Sequence, residues 1–406
     1  MRLTHLSLVH FRTYHSLELD FPPGSVLLHG MNAQGKTSLL EAIYYLATAH
    51  SPHTSSDRQL INWLALRSEP RPFAKMSAEV VTRDEIRKLV VRLILEPGLP
   101  GQEPRFKKEI YVNGVRRHSA DLRAALNAVL FLPQDMALVE GSPGERRHYL
   151  DDVLCQVDSV YCHALTEYGK VVTQRNALLK QLQERGDAAD ASGQLDFWDA
   201  QITEYGATLI SARAIALAEL ELHAGPIHRE LTAGADSLRL DYRPSFDPLA
   251  PPEYQLELGL NVPVARAGLD RDEIRERLSA RLAQGRDEDI ARGQTLVGPH
   301  RDDFRFLAGP VDLGVYGSRG QGRTAVLALK LAETSWLRDR VGEWPVLLLD
   351  EVLAELDQTR RVDLLNRING AEQIVMTTTD LGLFADDFRR KAAVWEVSEG
   401  TITNSQ

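Results

Sequence analysis

Gly30 to Thr37, eight residues reading GMNAQGKT, constrain this chain more than any others, because they match G-x-x-x-x-G-K-T, the P-loop pattern. Upstream, Ser25 to His29 (SVLLH) is a short apolar run suited to a buried strand. Downstream, Ser38 to Ala47 (SLLEAIYYLA) carries apolar residues at helical spacing. The spacing thus predicts strand, loop and helix, the context in which loop N–H groups and the positive end of a helix converge on a phosphate chain. Gly30 and Gly35 keep the backbone close, with Met31, Asn32, Ala33 and Gln34 forming the loop between them. Lys36 is expected to reach the β- and γ-phosphates of a nucleotide, and the Thr37 hydroxyl to enter a Mg2+ shell.

A second half-site lies near the C-terminus. Val346 to Glu351 (VLLLDE) is an apolar strand closing on paired acids, the form of a Walker B element. Asp350 is expected to hold Mg2+ and Glu351 to orient or deprotonate the attacking water. The run gains weight from YGSRGQGRT at 316–324, which opens the helix leading to it, and from AELD at 354–357 just after it.

At 406 residues, two or three compact units are expected. No run approaches the length of a membrane span and no signal peptide is evident, which points to a cytoplasmic protein without a membrane partner. Cys155 and Cys162 fit neither a disulfide framework nor a zinc pattern and read as buried thiols. The net charge of −10 argues against nucleic acid, but it is unevenly spread. Residues 1–150 hold 19 Lys and Arg against 15 Asp and Glu, net +4; the other 256 hold 28 against 42, net −14. Basic groups cluster at Arg83, Arg87 and Lys88, at Arg105, Lys107 and Lys108, at Arg116 and Arg117, and at Arg146 and Arg147. They either grip phosphates or lie on solvated faces.

In chain order, Arg2 to Val9 and Leu17 to Phe21 read as strands leading to the P-loop strand, and Phe73 to Val81, Lys88 to Leu95 and Arg105 to Val112 as a meander beside the core. Pro97 to Gly101 punctuate a loop, Asn113-Gly114 a tight turn, and Asn127 to Leu132 a buried strand. From Glu145 to Leu182, and from Leu195 to Ala216 after a polar break at Gly186 to Gly193, apolar residues recur at three-four spacing. Two antiparallel helices of roughly 40 residues are predicted, as a coiled coil or as a subdomain of bent helices. Strand-like Leu238 to Tyr242, a Pro-rich loop from Pro244 to Pro252 and a charged helix from Arg271 to Asp289 follow. VGPHRDD at 297–303 contains the HRD of protein kinases, but the matching Asn is absent and the P-loop is of the wrong type, so it reads as a loop before the strand Phe304 to Leu307.

The P-loop, a Ser-x-Gly-Gln signature at Ser318 to Gln321, and Walker B with the segment after it resemble, in this order, the ABC-type ATPases. FRTY at 11–14, GSPGERRHYLD at 141–151, GPHRDD at 298–303 and LLLDEVLAELD at 347–357 narrow the likeness to the RecF family of bacterial recombination mediators, over nearly the whole chain. The resemblance implies an α/β fold: an ABC-type lobe with an antiparallel meander, from 1–135 and 293–406, and an inserted mainly helical arm, 136–292. It implies ATP on Gly30 to Thr37, Arg12 reaching the nucleotide, and Gln134 contacting metal and water. Ser318, Gly320 and Gln321 would act on ATP held by a second subunit. Slow, DNA-stimulated hydrolysis, an ATP-dependent homodimer, gapped DNA, and cooperation with RecR and RecO in loading RecA during the SOS response belong to the same implication. The signature departs from the family form at Arg319 and Gly322, and Thr377, Thr378 or Thr379 stands where a switch histidine is expected. An ABC transporter subunit would need a helical insert that docks on membrane domains and an LSGGQ signature. An ABC-like nuclease would need a further acidic metal domain. A non-enzymatic scaffold would show no DNA-stimulated ATPase.

Overall fold

The computed structural model describes residues 1–98, 103–185, 191–249 and 266–404. The chain runs through β1 (Arg2–Phe11), β2 (Tyr14–Asp20), β3 (Gly24–His29), β4 (Phe73–Val81), β5 (Ile86–Glu96), β6 (Arg105–Val112), β7 (Val115–Arg117) and β8 (Ala128–Phe131), then β9 (Leu238–Arg243), β10 (Asp303–Ala308) and β11 (Val311–Asp312), and finally β12 (Val346–Asp350), β13 (Gln373–Thr378), β14 (Ala393–Ser398) and β15 (Thr401–Asn404). Its longer helices are α1 (Lys36–Thr48), α2 (Pro143–Cys155), α3 (Ser159–Arg185), α4 (Ala191–Leu231), α5 (Arg271–Gln284), α6 (Arg286–Arg292), α7 (Arg319–Val341) and α8 (Gln358–Ile368). Two compact units result, Met1–Asp135 with Glu333–Gln406, and Met136–Ala332.

The first unit holds two six-stranded sheets. One, ordered β2-β1-β4-β5-β6-β7, is antiparallel throughout, the expected meander. Asn113 and Gly114, both at positive φ, make its last tight turn. The other, β15-β14-β3-β13-β12-β8, is parallel except at β15. Helix α1 is apolar nearly all round: Leu39, Leu40, Ile43 and Leu46 join one buried cluster with Leu6 and Leu8 of β1, Val91 and Leu93 of β5, and Val346 and Leu348 of β12. A buried side chain ties the two sheets: Gln373 accepts from the Leu3 N–H at 2.7 Å and donates to its carbonyl at 2.8 Å. In the parallel sheet, β13 lies between β3 and β12, so the P-loop and Walker B strands end at the same sheet edge, the carboxyl edge where α/β folds place ligands.

The second unit departs from the expected boundaries. Strand β10 pairs with β9, from Asp303 opposite Arg243 to Ala308 opposite Leu238, and with β11 on its other side, so residues 293–332 belong with the insert and the crossing falls inside α7 rather than at 292/293. The predicted long first helix is two helices. Helix α2 closes at Gln156, and Asp158 caps α3, its carboxylate accepting from the Tyr161 N–H at 2.9 Å. The second helix has the predicted length, with Leu195, Ile202, Leu209 and Ala216 buried at heptad spacing along its 41 residues. Gly285 likewise divides the charged helix into α5 and α6. Both cysteines are buried thiols. Expected punctuation at Pro100 and Gly101, most of the break at Gly186 to Gly193 and the end of the Pro-rich loop at 250–252 lie outside the described residues.

Candidate nucleotide site

The P-loop has the shape its glycines predict. Gly30 sits at φ +153°, where a Cβ would stand 2.3 Å from the Val397 carbonyl; at Gly35, φ +116°, it would meet the Thr13 hydroxyl at 2.9 Å. Met31 is exposed on the rim. Asn32, Ala33, Gln34, Gly35, Lys36 and Thr37 line a cavity of about 400 Å3 with Gln134, Asp350 and Glu351, a size suited to a small-molecule ligand.

The side chains in it converge. Buried Lys36 donates to the carbonyls of Gly30 (2.8 Å) and Met31 (3.0 Å) and pairs with Glu351 at 3.3 Å. The Thr37 hydroxyl donates to the Asp350 carboxylate at 2.9 Å, joining residues 313 apart in sequence. On the other side, Thr377 donates to Asp350 at 2.6 Å and accepts from the Glu351 N–H at 2.9 Å. That bond pins Glu351, a non-glycine residue at φ 51°, a backbone state that costs of order 1 kcal/mol and recurs at functional sites. Of the three candidate threonines, Thr377 alone joins the acids; Thr378 bonds to the Asp380 backbone and Thr379 is exposed. Gln134 lies 3.1 Å from a ring nitrogen of His53.

Arg12 is placed differently from the expectation. Its guanidinium holds buried Glu41 through two hydrogen bonds, at 2.6 and 2.8 Å, and is not among the residues lining the cavity. Glu41 faces sideways from α1 and must be neutralised there, which fixes Arg12. FRTY instead reaches the loop through its last two residues. Thr13 lines the cavity, and the buried Tyr14 hydroxyl donates to the Gly35 carbonyl at 3.0 Å; burial pushes that phenol's pKa up, so it remains a donor. The hairpin of β14 and β15 also went unread: Glu399 and Gly400 N–H groups hold Gln34 through its side chain (2.7 Å) and its carbonyl (3.1 Å). Apolar Val394, Trp395 and Val397 before a Glu-Gly turn were the available signal.

The signature residues belong to the second unit, where Ser318, Gly320 and Gln321 are all exposed at the start of α7. Ser318 and Gln321 bond reciprocally, N–H to Oε1 at 2.9 Å and N–H to Oγ at 3.3 Å, a capping box that turns the positive end of a 23-residue helix to the surface.

Several expected phosphate-gripping cations are already engaged. Lys108 bonds to the Ala49 carbonyl and to Asp57 at 3.2 Å, and burial pulls its pKa down. Lys107 pairs with Glu109, Lys88 with Glu79 and Arg87 with Glu85. Arg146 clasps Asp303 at 2.6 and 3.0 Å, and Arg147 donates to the Asp302 carbonyl at 2.7 Å. GSPGERR and GPHRDD thus interlock as a scaffold. His300 of the HRD triplet bonds to Tyr168 at 2.7 Å and to the Thr295 carbonyl at 3.1 Å, a structural place within the second unit.

Comparison with known proteins agrees with this geometry. The model of the RecF/RecN/SMC N-terminal domain matches residues 2–403. The DNA replication and repair protein RecF of Chloroflexus aurantiacus is 41% identical over 408 residues, covering 99% of each chain, and that of Bacillus cereus is 36% identical over 403 residues, covering 99% of this chain and 98% of the relative. A solved structure of the recombination mediator protein RecF-ATPrS in the RecFOR pathway superposes with a TM-score of 0.82 at 29% identity, covering 100% of this chain and 98% of its own. The Smc head domain of Pyrococcus furiosus, at TM-score 0.50 and 16% identity over 99% of this chain and 95% of its own, shares the fold. The ABC-type head, the paired P-loop and Walker B strands and this full-length similarity lead to one assignment: the chain belongs to the RecF family of DNA replication and repair proteins.

Proposed function

We propose that the chain is an ATP-switched DNA-binding protein of recombinational repair, which dimerises on ATP and acts at gapped or single-strand/duplex junction DNA to help load RecA. The observation that carries the reading is the cluster Lys36, Thr37, Asp350 and Glu351, four residues lining one cavity, with buried Thr377 bonded to both acids behind them. Solved RecF structures that carry ATP in their names support ATP as its occupant.

The Lys36 ammonium exchanges two loop carbonyls for β- and γ-phosphate oxygens. Thr37 and Asp350 form a hard-oxygen pair of the kind Mg2+ prefers, and they are the residues to hold it. When bound, that ion neutralises charge on the phosphate oxygens. Glu351 then accepts the proton of the water that attacks the γ-phosphorus, as the bond to the β-phosphate oxygen breaks. Thr377 keeps Glu351 aimed by its backbone. With threonine rather than histidine after Met376, the site suits slow turnover, timed by the dimer and stimulated by DNA.

Ser318, Gly320 and Gln321 are solvent-facing within their own unit, which supports their action on a nucleotide held by a second copy. RecO and RecR are expected partners, as the RecFOR name of the similar structure suggests, in a cytoplasmic setting. Among the described residues no helix is long and apolar enough to cross a membrane. Sizing the protein alone, with ATP, and with ATP and a gapped duplex tests the reading. A monomer that doubles in mass with ATP and then takes up DNA supports it; a mass indifferent to ATP contradicts it.

A further inference from the structure

One face of the antiparallel sheet alternates half-exposed with buried residues along β4 and β5, and is open to solvent. Its cross-strand rows follow from the register. In the row Asp20, His5, Glu79 and Lys88, each charge meets its opposite: His5 bonds to Asp20 at 2.7 Å and Lys88 to Glu79 at 2.8 Å. Two rows along, Ser16, Val9, Lys75, Arg92 and Glu109 are aligned, and there Lys75 and Arg92 stand directly opposite each other. Like charges at this spacing repel. The row's one carboxylate, Glu109, is taken by Lys107 at 2.7 Å and by the Tyr111 hydroxyl at 3.3 Å. Among the described residues Lys75 has no ion pair, and Arg92 has only the Tyr111 ring at 5.7 Å. Both line a cavity of about 560 Å3, together with Arg71, Phe73, Ile94 and the already paired Glu109.

An opposed cation pair beside an open trough is explained by an anion that bridges it. The trough is broad and open, with Phe73 and Ile94 in the row beside the cations, so it suits a chain of phosphates with sugars between them better than a lone ion. Exposed Arg116 on β7, opposite Tyr111, and exposed Arg105 on β6, opposite Glu96, lie on the same face nearer the sheet edge. We propose that this face carries the sugar-phosphate backbone of duplex DNA, with Lys75 and Arg92 on phosphates. The inference rests on the DNA-binding reading above and names its surface, whose central pair, Lys75 and Arg92, lies outside the basic clusters of the sequence.

The test is duplex binding by the full-length Lys75→Gln/Arg92→Gln protein across a salt series, beside wild type and Lys88→Gln. Losing two phosphate contacts lowers the slope of log affinity against log salt by about 1.8. Lys88→Gln, which removes a cation already paired, leaves the slope unchanged. Because the double variant relieves a repulsion, its melting temperature stays level or rises, and DNA-free ATP hydrolysis stays at the wild-type rate. A wild-type slope in the double variant, or an equal fall in Lys88→Gln, overturns the inference. A wild-type protein that binds no duplex at all overturns the DNA reading instead.

Discussion

The nucleotide cavity and the helical unit both bury charge, and they deal with it in opposite ways. In the second unit each buried cation is tied to fixed partners. Arg213 donates to Asp151 at 2.7 Å, to the Pro299 carbonyl at 2.6 Å and to the Tyr161 hydroxyl at 2.9 Å; Arg175 holds Asp199 and Asp289, both at 2.7 Å. In the cavity, buried Lys36 leans on two loop carbonyls and a half-exposed Glu351, partners that phosphate oxygens can replace. Charge tied to fixed acids builds a scaffold; exchangeable charge makes a site. The difference explains why the segments that resemble RecF most specifically, GSPGERR and GPHRDD, turn out to hold structure, while the commonplace P-loop carries the chemistry.

Substitutions on each side should therefore fail differently. Lys36→Ala removes the cation that offsets the phosphates and should weaken ATP binding by up to about 5 kcal/mol, several-thousandfold, with the melting temperature little changed. Calorimetric titration of ATP checks it. Glu351→Gln should keep ATP bound and trap the dimer while hydrolysis falls roughly 10²- to 10⁴-fold, because the amide positions water but cannot take its proton. Single-turnover phosphate release checks that, and a wild-type rate would remove Glu351 as the base. Arg213→Met should do the reverse of Lys36→Ala. It leaves Asp151 and Asp302 uncompensated in a buried setting and should cost about 3–5 kcal/mol of stability, seen in thermal unfolding, while ATP affinity in the cold stays near wild type.

How far the sequence carried the reading follows the same divide. Strands β4 and β6 matched their predicted limits, because alternating burial and an Asn-Gly turn are local signals. The P-loop and Walker B were legible for that reason too. What was missed depends on partners distant in sequence. Arg12 looked available until Glu41 was found beside it, and Arg146 and Arg147 looked like a phosphate clamp until β10 brought Asp302 and Asp303 to them. The break between α2 and α3 hangs on one capping side chain, Asp158, which helical periodicity runs straight through. Thr377 could be picked from three threonines only once β13 was known to lie beside β12.

The smallest expected effect is a pH dependence confined to the scaffold. Burial holds the His300 imidazole down to about 4, against 6.5 when unfolded. Between those values the unfolded chain binds the extra proton, so the contribution is fully present above about pH 6.5 and is lost as pH falls toward 4. The loss should reach about 2–3 kcal/mol. Melting curves of wild type and His300→Gln over that range should converge as pH falls, since the amide cannot titrate; parallel curves would remove His300 as the source.

The central claim is that the exposed signature of one copy completes the nucleotide site of another, and complementation tests it most directly. Ser318→Arg alone should bind ATP as a monomer but neither dimerise nor hydrolyse it, and Lys36→Ala alone should bind none. Mixed in equal amounts, the two can form a dimer with both defects in one site and an intact second site, built from the Lys36 of one chain and the Ser318 of the other. The account predicts partial recovery of ATP-dependent dimer and of hydrolysis in the mixture. ATP-driven dimerisation by Ser318→Arg on its own, or a mixture as inactive as its components, would contradict it.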